Sequence, residues 1–207
     1  MRKATKTVAA FFGVIAGIAG IEHGIFEAMQ GNARPESLMI PSMGPPCAPE
    51  KVWNACEPAM TVIPNFLATG ILAIAIGLAM VVWAAAYLQR KNGGVILILL
   101  SIGLLLFGGG IFPPLIGIIG GVAGIKINAP VSEKPTSDFV RFLAKLWPGA
   151  LVVFVVWILG QWVVGYFFND FLQKNGLISV LLILTLMPLS VLSAYARDVL
   201  EGEKSVG

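Results

Sequence analysis

One histidine and two glutamates lie close together near the end of the first apolar segment, in GIEHGIFEAMQG at residues 20–31. His23 is the only histidine of the chain, and Glu22 and Glu27 flank it. An imidazole and a carboxyl group one helical turn apart can share a hydrogen bond, relay a proton or hold a polar ligand. Charged groups are unfavourable inside a bilayer, by about 2.5 to 3.5 kcal/mol at mid-helix on insertion scales. These residues therefore need a partner, a ligand or a position near the membrane surface.

The helical positions of the three side chains separate them. At about 100° per residue, His23 and Glu27 share a face, whereas Glu22 lies on another. We therefore expect His23 and Glu27 to converge on one site and Glu22 to make its contacts elsewhere. Two ligands do not make a metal site, so we predict no metal and no cofactor. Polar residues at a helix end, a structural His–Glu hydrogen bond and a functional pair all stay open.

Polar residues in other apolar segments are candidates for the same site. Asn65 lies near the start of the second segment, and Gln161 lies within the fourth. Together these positions predict an outward-facing polar pocket lined by His23, Glu27, Asn65 and Gln161, with Glu22 as a further candidate.

The elements that carry these residues are long and apolar. Of 207 residues, 57% are hydrophobic and only 12% are charged. Windows of about 20 uncharged residues match the length that crosses a bilayer core of about 30 Å, and backbone groups in lipid must be paired within helices. The sequence predicts an all-α polytopic membrane bundle that forms one domain over residues 1–207, with five spans at about 7–30, 61–88, 95–125, 148–168 and 177–195.

The third predicted span is too long and contains GGGIFPP at residues 108–114. Prolines remove backbone donors, and such segments bend or break helices. Either one long bent helix forms here, or a span to Phe112 is followed by a re-entrant or interfacial helix over 115–127.

The first span has a stripe of small residues at helical spacing, namely Gly13, Gly17, Gly20 and Gly24. Small residues allow close helix packing in lipid, so we predict a packing seam. Its partner is either another helix of this chain or a second copy. Besides membrane lipids, we therefore expect a homo-oligomer or a larger membrane complex as partners.

The run GVIAGIAGI at 13–21 resembles GIIGGVAGI at 117–125 when the two are aligned position by position. Chance similarity and a diverged repeat, as in transporters, both stay open. If the two segments pack side by side, an ion pair between Glu22 and Lys126 becomes plausible.

Cys47 and Cys56 are the only cysteines, and both lie in the Pro-rich loop over residues 31–60. Outside the cytoplasm, such a pair forms a local disulfide. We predict a disulfide that stabilises an extracytoplasmic loop, and a redox-active pair and two free thiols stay open as alternatives.

The basic residues set the orientation. Arg2, Lys3 and Lys6 precede the first span, and Arg90 and Lys91 follow the second, so the positive-inside rule predicts a cytoplasmic N-terminus in the plasma membrane. If each span crosses the membrane in turn, the loop after the third span lies outside. Four basic residues in this region conflict with that placement, namely Lys126, Lys134, Arg141 and Lys145. We expect the basic N-terminal segment to remain as the first span. The scattered basic residues form no patch for nucleic acid.

Three functions fit these features. The first is a non-catalytic membrane protein that assembles with others or binds a lipid-like ligand, and the sequence favours it. The second is a small oligomeric transporter or channel. The third is a membrane enzyme that uses His23 and Glu27 in acid–base chemistry.

Overall fold

The computed structural model describes residues 1–41, 56–130 and 136–206. Within these ranges the chain is a helical bundle with one small two-stranded sheet. The helices are α1 (Lys3–Met29), α2 (Phe66–Val82, continued by a π-helical turn Trp83–Tyr87), α3 (Gly93–Leu106), α4 (Phe112–Ile125), α5 (Asp138–Lys145), α6 (Gly149–Phe167), α7 (Asn169–Lys174) and α8 (Gly176–Val206). The strands β1 (Met39–Pro41) and β2 (Pro58–Met60) pair antiparallel, with Ile40 opposite Ala59.

In the described ranges, four helices are long and apolar enough to cross a membrane. They are Lys3–Met29, Phe66–Tyr87, Gly149–Phe167 and Gly176–Glu203. Their positions match the first, second, fourth and fifth predicted spans, and the architecture agrees with a helical membrane bundle. The count of five spans stays a prediction, because the third apolar stretch forms two helices of 14 residues each. Each is about 21 Å long, shorter than a bilayer core.

Helices α3 and α4 form an antiparallel hairpin instead of one bent helix. The start of α3 lies against the end of α4, where Gly94 contacts Gly121 and Gly124. The turn between them contains Gly108 at φ +85° and Gly110 at φ +79°, a conformation that glycine adopts without strain. Prolines are tolerated in the first turn of a helix, and α4 has Pro113 there. The Gly-Pro segment therefore reverses the chain.

The seam predicted on α1 lies mainly against α2 of the same chain. A Cβ added at Gly17 would lie 2.6 Å from the carbonyl oxygen of Gly77, and one added at Gly24 would lie 2.7 Å from that of Gly70. Gly20 faces the side chain of Leu104 in α3. A second copy is not needed to cover this stripe, so the predicted oligomer stays a prediction.

Contacts of the N-terminus define one end of the bundle, which we call the Arg2 end. The Arg2 amide donates to the Ile127 carbonyl at 2.9 Å. The amides of Ala4 and Thr5 donate to the carboxylate of Asp198 in α8 at 2.9 and 2.7 Å. At the other end, the His23 end, the Gly108 amide donates to Met60 in β2 at 2.8 Å. Both ends of the α3–α4 hairpin thus lie at the Arg2 end.

The ion pair between Glu22 and Lys126 is wrong. Helix α4 runs antiparallel to α1, because Gly110 lies against His23 while Ile127 contacts Arg2. Lys126 is therefore at the Arg2 end, about 30 Å along α1 from Glu22. The two similar runs pack in opposite directions.

Candidate functional site

A cavity of about 260 Å³ lies at the His23 end, between α1, α4, α6, α7 and α8. Its polar lining residues come from four helices and the segment before β2, and they are Glu22, His23, Glu57, Gln161, Gln173 and Ser179. Its apolar lining includes Ile15, Ala19, Ile116, Ile158 and Ile183. In α1, α6 and α8 these apolar residues lie nearer the Arg2 end than the polar ones. The cavity thus has a polar side and an apolar floor.

His23 is the most enclosed of the polar lining residues, at 2% exposed. Its Nε2 atom lies 3.4 Å from Oε2 of Glu57, which directly precedes β2. On another side, a Cβ added at Gly110 would lie 2.6 Å from Nε2. The turn of the α3–α4 hairpin and the strand segment therefore fix the position of the imidazole.

Glu27 is fully buried but does not line the cavity. Its carboxyl group lies against Gly108. It occupies the space into which the side chain of any other residue at position 108 would project. The cavity contains Glu22 beside His23 instead, which differs from the arrangement expected from the helical positions. The physical reason is that the space between α1 and helices α4, α6 and α8 borders two neighbouring faces of α1. Glu22 on one face and His23 on the other therefore both line the cavity.

Gln161 lines the cavity and has a partner in α8. The Ser179 hydroxyl donates to Oε1 of Gln161 at 3.0 Å, and both side chains are buried. This bond links α6 to α8 at the polar side of the cavity.

Asn65 lies elsewhere and caps a helix. Its side-chain oxygen accepts from the Ala68 amide at 2.9 Å at the start of α2, and its amide group donates to Asn32. It is not among the cavity-lining residues. The sequence alone does not distinguish these two roles, because asparagine is a preferred helix N-cap as well as a polar residue that can line a pocket.

Several lining residues were not singled out by the sequence, namely Glu57, Gln173, Ser179 and Trp162. Ser179 was detectable, since it is a polar residue within an apolar span. Glu57 was not, because its approach to His23 depends on long-range contacts of β2, which pairs with β1 and accepts a hydrogen bond from Gly108 in the turn of the α3–α4 hairpin.

Cys47 lies outside the described residues, so its predicted disulfide with Cys56 stays a prediction. Cys56 has φ +68° and directly precedes Glu57. Over the described ranges, no group of three or more His, Cys, Asp or Glu side chains could hold a metal ion.

The cavity is closed towards the Arg2 end by large apolar side chains. Phe12 and Phe154 are fully buried, with ring centroids 4.8 Å apart. Met187, also fully buried, lies one turn beyond Ile183 in α8. The arrangement is a blind pocket that can hold a small molecule with one polar and one apolar part.

Searches against protein-family models, curated proteins and solved structures found no match to this chain.

Proposed function

We propose that this chain is a multi-pass plasma-membrane protein that binds a small amphiphilic, lipid-like molecule without transforming it. The observation that carries the proposal is the cavity beside His23. Its polar side and apolar floor match a ligand with a polar head and a hydrocarbon part. Ligand pockets usually combine mostly apolar walls with a few placed polar groups.

Binding is favoured over a channel because the cavity has a floor. Phe12, Phe154 and Met187 fill the bundle between the cavity and the Arg2 end, and all three are fully buried. A conducting path would have to pass through this packed layer.

We also propose that the N-terminus is cytoplasmic and that the cavity faces outwards. Among the described residues, the His23 end carries Arg34 and Lys174 as its basic residues, whereas the Arg2 end carries Arg2, Lys3, Lys6, Arg90, Lys91, Lys126, Arg141, Lys145 and Arg197. The positive-inside rule assigns the more basic side to the cytoplasm. The α3–α4 hairpin supports this, because it returns the basic residues after α4 to the same side as the N-terminus.

A cavity-filling variant tests the proposed function. Ala19 lines the cavity, whereas its neighbour Ile18 is 58% exposed on the outer surface. We expect Ala19→Phe to fill part of the cavity and Ile18→Phe to leave it open. Lipid extracts of the purified proteins are compared by mass spectrometry. The extracts of the parent and of Ile18→Phe should contain an amphiphile that is absent from the extract of Ala19→Phe. The same extract composition for all three proteins would refute the proposal.

Acid–base catalysis is a second candidate, supported by the 3.4 Å approach of His23 to Glu57. A carboxyl group near an imidazole can orient it for proton transfer. The two candidates differ in the fate of the ligand. We expect the bound molecule to be recovered unchanged after prolonged incubation with the parent protein, and conversion that His23→Ala abolishes would favour the enzyme instead.

A further inference from the structure

We propose that the cavity selects amphiphiles with a cationic head group, such as long-chain ammonium compounds. This inference rests on the proposed function and adds the chemical class of the ligand.

The acidic residues of the cavity carry the argument. Glu22 of α1 and Glu57 before β2 both line it, beside His23. Among the described residues that line the cavity, none is lysine or arginine. An anionic head group would therefore meet two carboxyl groups and, as the basic group among these lining residues, only the imidazole of His23, whereas a cation would meet carboxyl groups from two separate elements. Opposite charges attract each other more strongly at such a site than in bulk water, because the effective dielectric constant is lower.

Aromatic side chains add to this preference. Trp162 of α6 and Phe112 of α4 line the same cavity as the two glutamates. Cations are attracted to the faces of aromatic rings, and tryptophan is the most favourable partner. An ammonium head group can thus contact both carboxyl groups and ring faces within one site.

The chemistry favours an organic cation over a metal ion. Zinc sites in proteins use three or four protein ligands, and the described residues contain no group of three or more His, Cys, Asp or Glu side chains that could hold a metal ion. The apolar floor formed by Ile15, Ile116 and Ile183 would contribute nothing to the binding of a bare ion, but it can bury hydrocarbon.

The dimensions indicate how such a ligand would fit. The cavity volume of about 260 Å³ is slightly below the value of about 300 Å³ at which pockets for drug-sized ligands start. The cavity therefore has room for a head group and a short hydrocarbon part. Trp162 lines the cavity and is also 48% exposed on the outer surface of α6. The edge of the cavity at Trp162 therefore reaches the surface that would face lipid, where a longer chain can continue.

Three probes that share an octyl chain test this inference: octyltrimethylammonium, octan-1-ol and nonanoate. Binding to the purified full-length protein in nanodiscs is measured by titration calorimetry. Empty nanodiscs and Ala19→Phe serve as references for partition into lipid. We expect saturable binding of the ammonium compound, with a Kd about tenfold lower than that of the alcohol because its charge is attracted to the carboxyl groups and the aromatic rings. We expect no saturable binding of nonanoate.

A charge-removing variant identifies the residues that make the selection. Glu57→Gln keeps the shape of the side chain and should raise the Kd of the ammonium compound about tenfold through the loss of charge attraction, with little effect on the alcohol. The matched control is Glu36→Gln, since Glu36 is exposed and does not line the cavity. We expect this control to bind all three probes as the parent does.

The outcomes separate the two proposals. Equal binding of the ammonium compound and the alcohol, both lost in Ala19→Phe, would overturn the cationic selection and leave the proposed function standing. An unchanged preference in the double variant Glu22→Gln/Glu57→Gln would also overturn the selection. If no probe binds in a way that Ala19→Phe abolishes, both proposals fail.

Discussion

At the scale of single residues, the position of His23 depends on Gly110. This glycine has φ +79°, and its Cα lies so close to the imidazole that an added Cβ would be 2.6 Å from Nε2. Any side chain at this position would both strain the backbone and displace the histidine. The turn of the α3–α4 hairpin is thus part of the wall that encloses the site.

We predict that Gly110→Ala lowers the free energy of unfolding by about 1 to 3 kcal/mol, because alanine is strained at positive φ. Displacement of His23 should also reduce ligand occupancy. The measurement is denaturation of the purified protein in detergent, followed by circular dichroism. The control is Gly160→Ala in α6, where an added Cβ would meet open space. This control should gain up to about 1 kcal/mol from helix propensity, and equal effects of the two changes would contradict the prediction.

Asp198 connects the end of α8 to the start of α1. Its carboxylate accepts from the amides of Ala4 and Thr5 and from the Thr5 hydroxyl, and it is 5% exposed. We predict that Asp198→Ala lowers the free energy of unfolding by about 1 to 3 kcal/mol, because buried donors lose their acceptor.

The matched control for Asp198 is Glu201→Ala, one turn away on the same helix. Glu201 pairs with Arg197 at 2.8 Å, and both side chains are about half exposed. A surface pair of this kind contributes less than about 1 kcal/mol. In denaturation experiments in detergent, Asp198→Ala should be clearly less stable than Glu201→Ala. The reverse order would refute the role of Asp198 as the acceptor that stabilises the start of α1.

The sequence predicted part of the site and not the rest, for physical reasons. His23, Glu22 and Gln161 stood out because polar residues in apolar helices are rare, and the structure brings all three to one cavity. Glu57 gave no signal, since its approach to His23 depends on strand pairing across a long loop. Glu27 stood out for the same reason as His23, but close packing against Gly108 keeps it off the cavity.

At the scale of elements, hydropathy located the long helices because it is a local property of the chain. The direction of the chain after Leu106 is not local. It depends on the close packing of Gly94 against Gly121 and of Ser101 against Gly117, across the α3–α4 hairpin. From the sequence we expected either a long bent helix or a span followed by a re-entrant or interfacial helix, and the antiparallel hairpin was not among these alternatives.

The seam between α1 and α2 yields a prediction about packing. Gly17 faces the backbone oxygen of Gly77, which cannot move without separating the helices. We expect Gly17→Ala to lower the free energy of unfolding by about 1 to 3 kcal/mol through overpacking. At Gly103 in α3, an added Cβ would be 3.5 Å from its nearest neighbour, an ordinary contact. The control variant Gly103→Ala should therefore have an unfolding temperature equal to that of the parent or higher. If Gly17→Ala were as stable as the parent, the seam would have no energetic importance and the prediction would be wrong.

At the scale of the whole molecule, the hairpin determines which loops share a side of the membrane. If α3 and α4 formed a single span, the residues after α4 would lie opposite the N-terminus. With the hairpin, both of its ends lie at the Arg2 end, and so does Asp198 near the end of α8. The proposed orientation then places most basic residues in the cytoplasm.

Labelling of single cysteines tests this arrangement. In a Cys47→Ser/Cys56→Ser background, Lys91→Cys and Asn128→Cys should react with an impermeant maleimide only after the cells are permeabilised. Arg34→Cys and Lys174→Cys, at the His23 end, should react in intact cells. All four positions are exposed in the structure. Labelling of Asn128→Cys but not Lys91→Cys in intact cells would contradict the hairpin, and the inverse of the whole pattern would contradict the orientation.

Native mass spectrometry of the protein released gently from its membrane shows whether the cavity beside His23 holds one ligand. We expect one amphiphile bound per chain in the parent and in Ile18→Phe, and an unliganded mass in Ala19→Phe. The same ladder of non-stoichiometric lipid adducts in all three proteins would contradict this expectation, because the cavity beside His23 would then hold no ligand of its own.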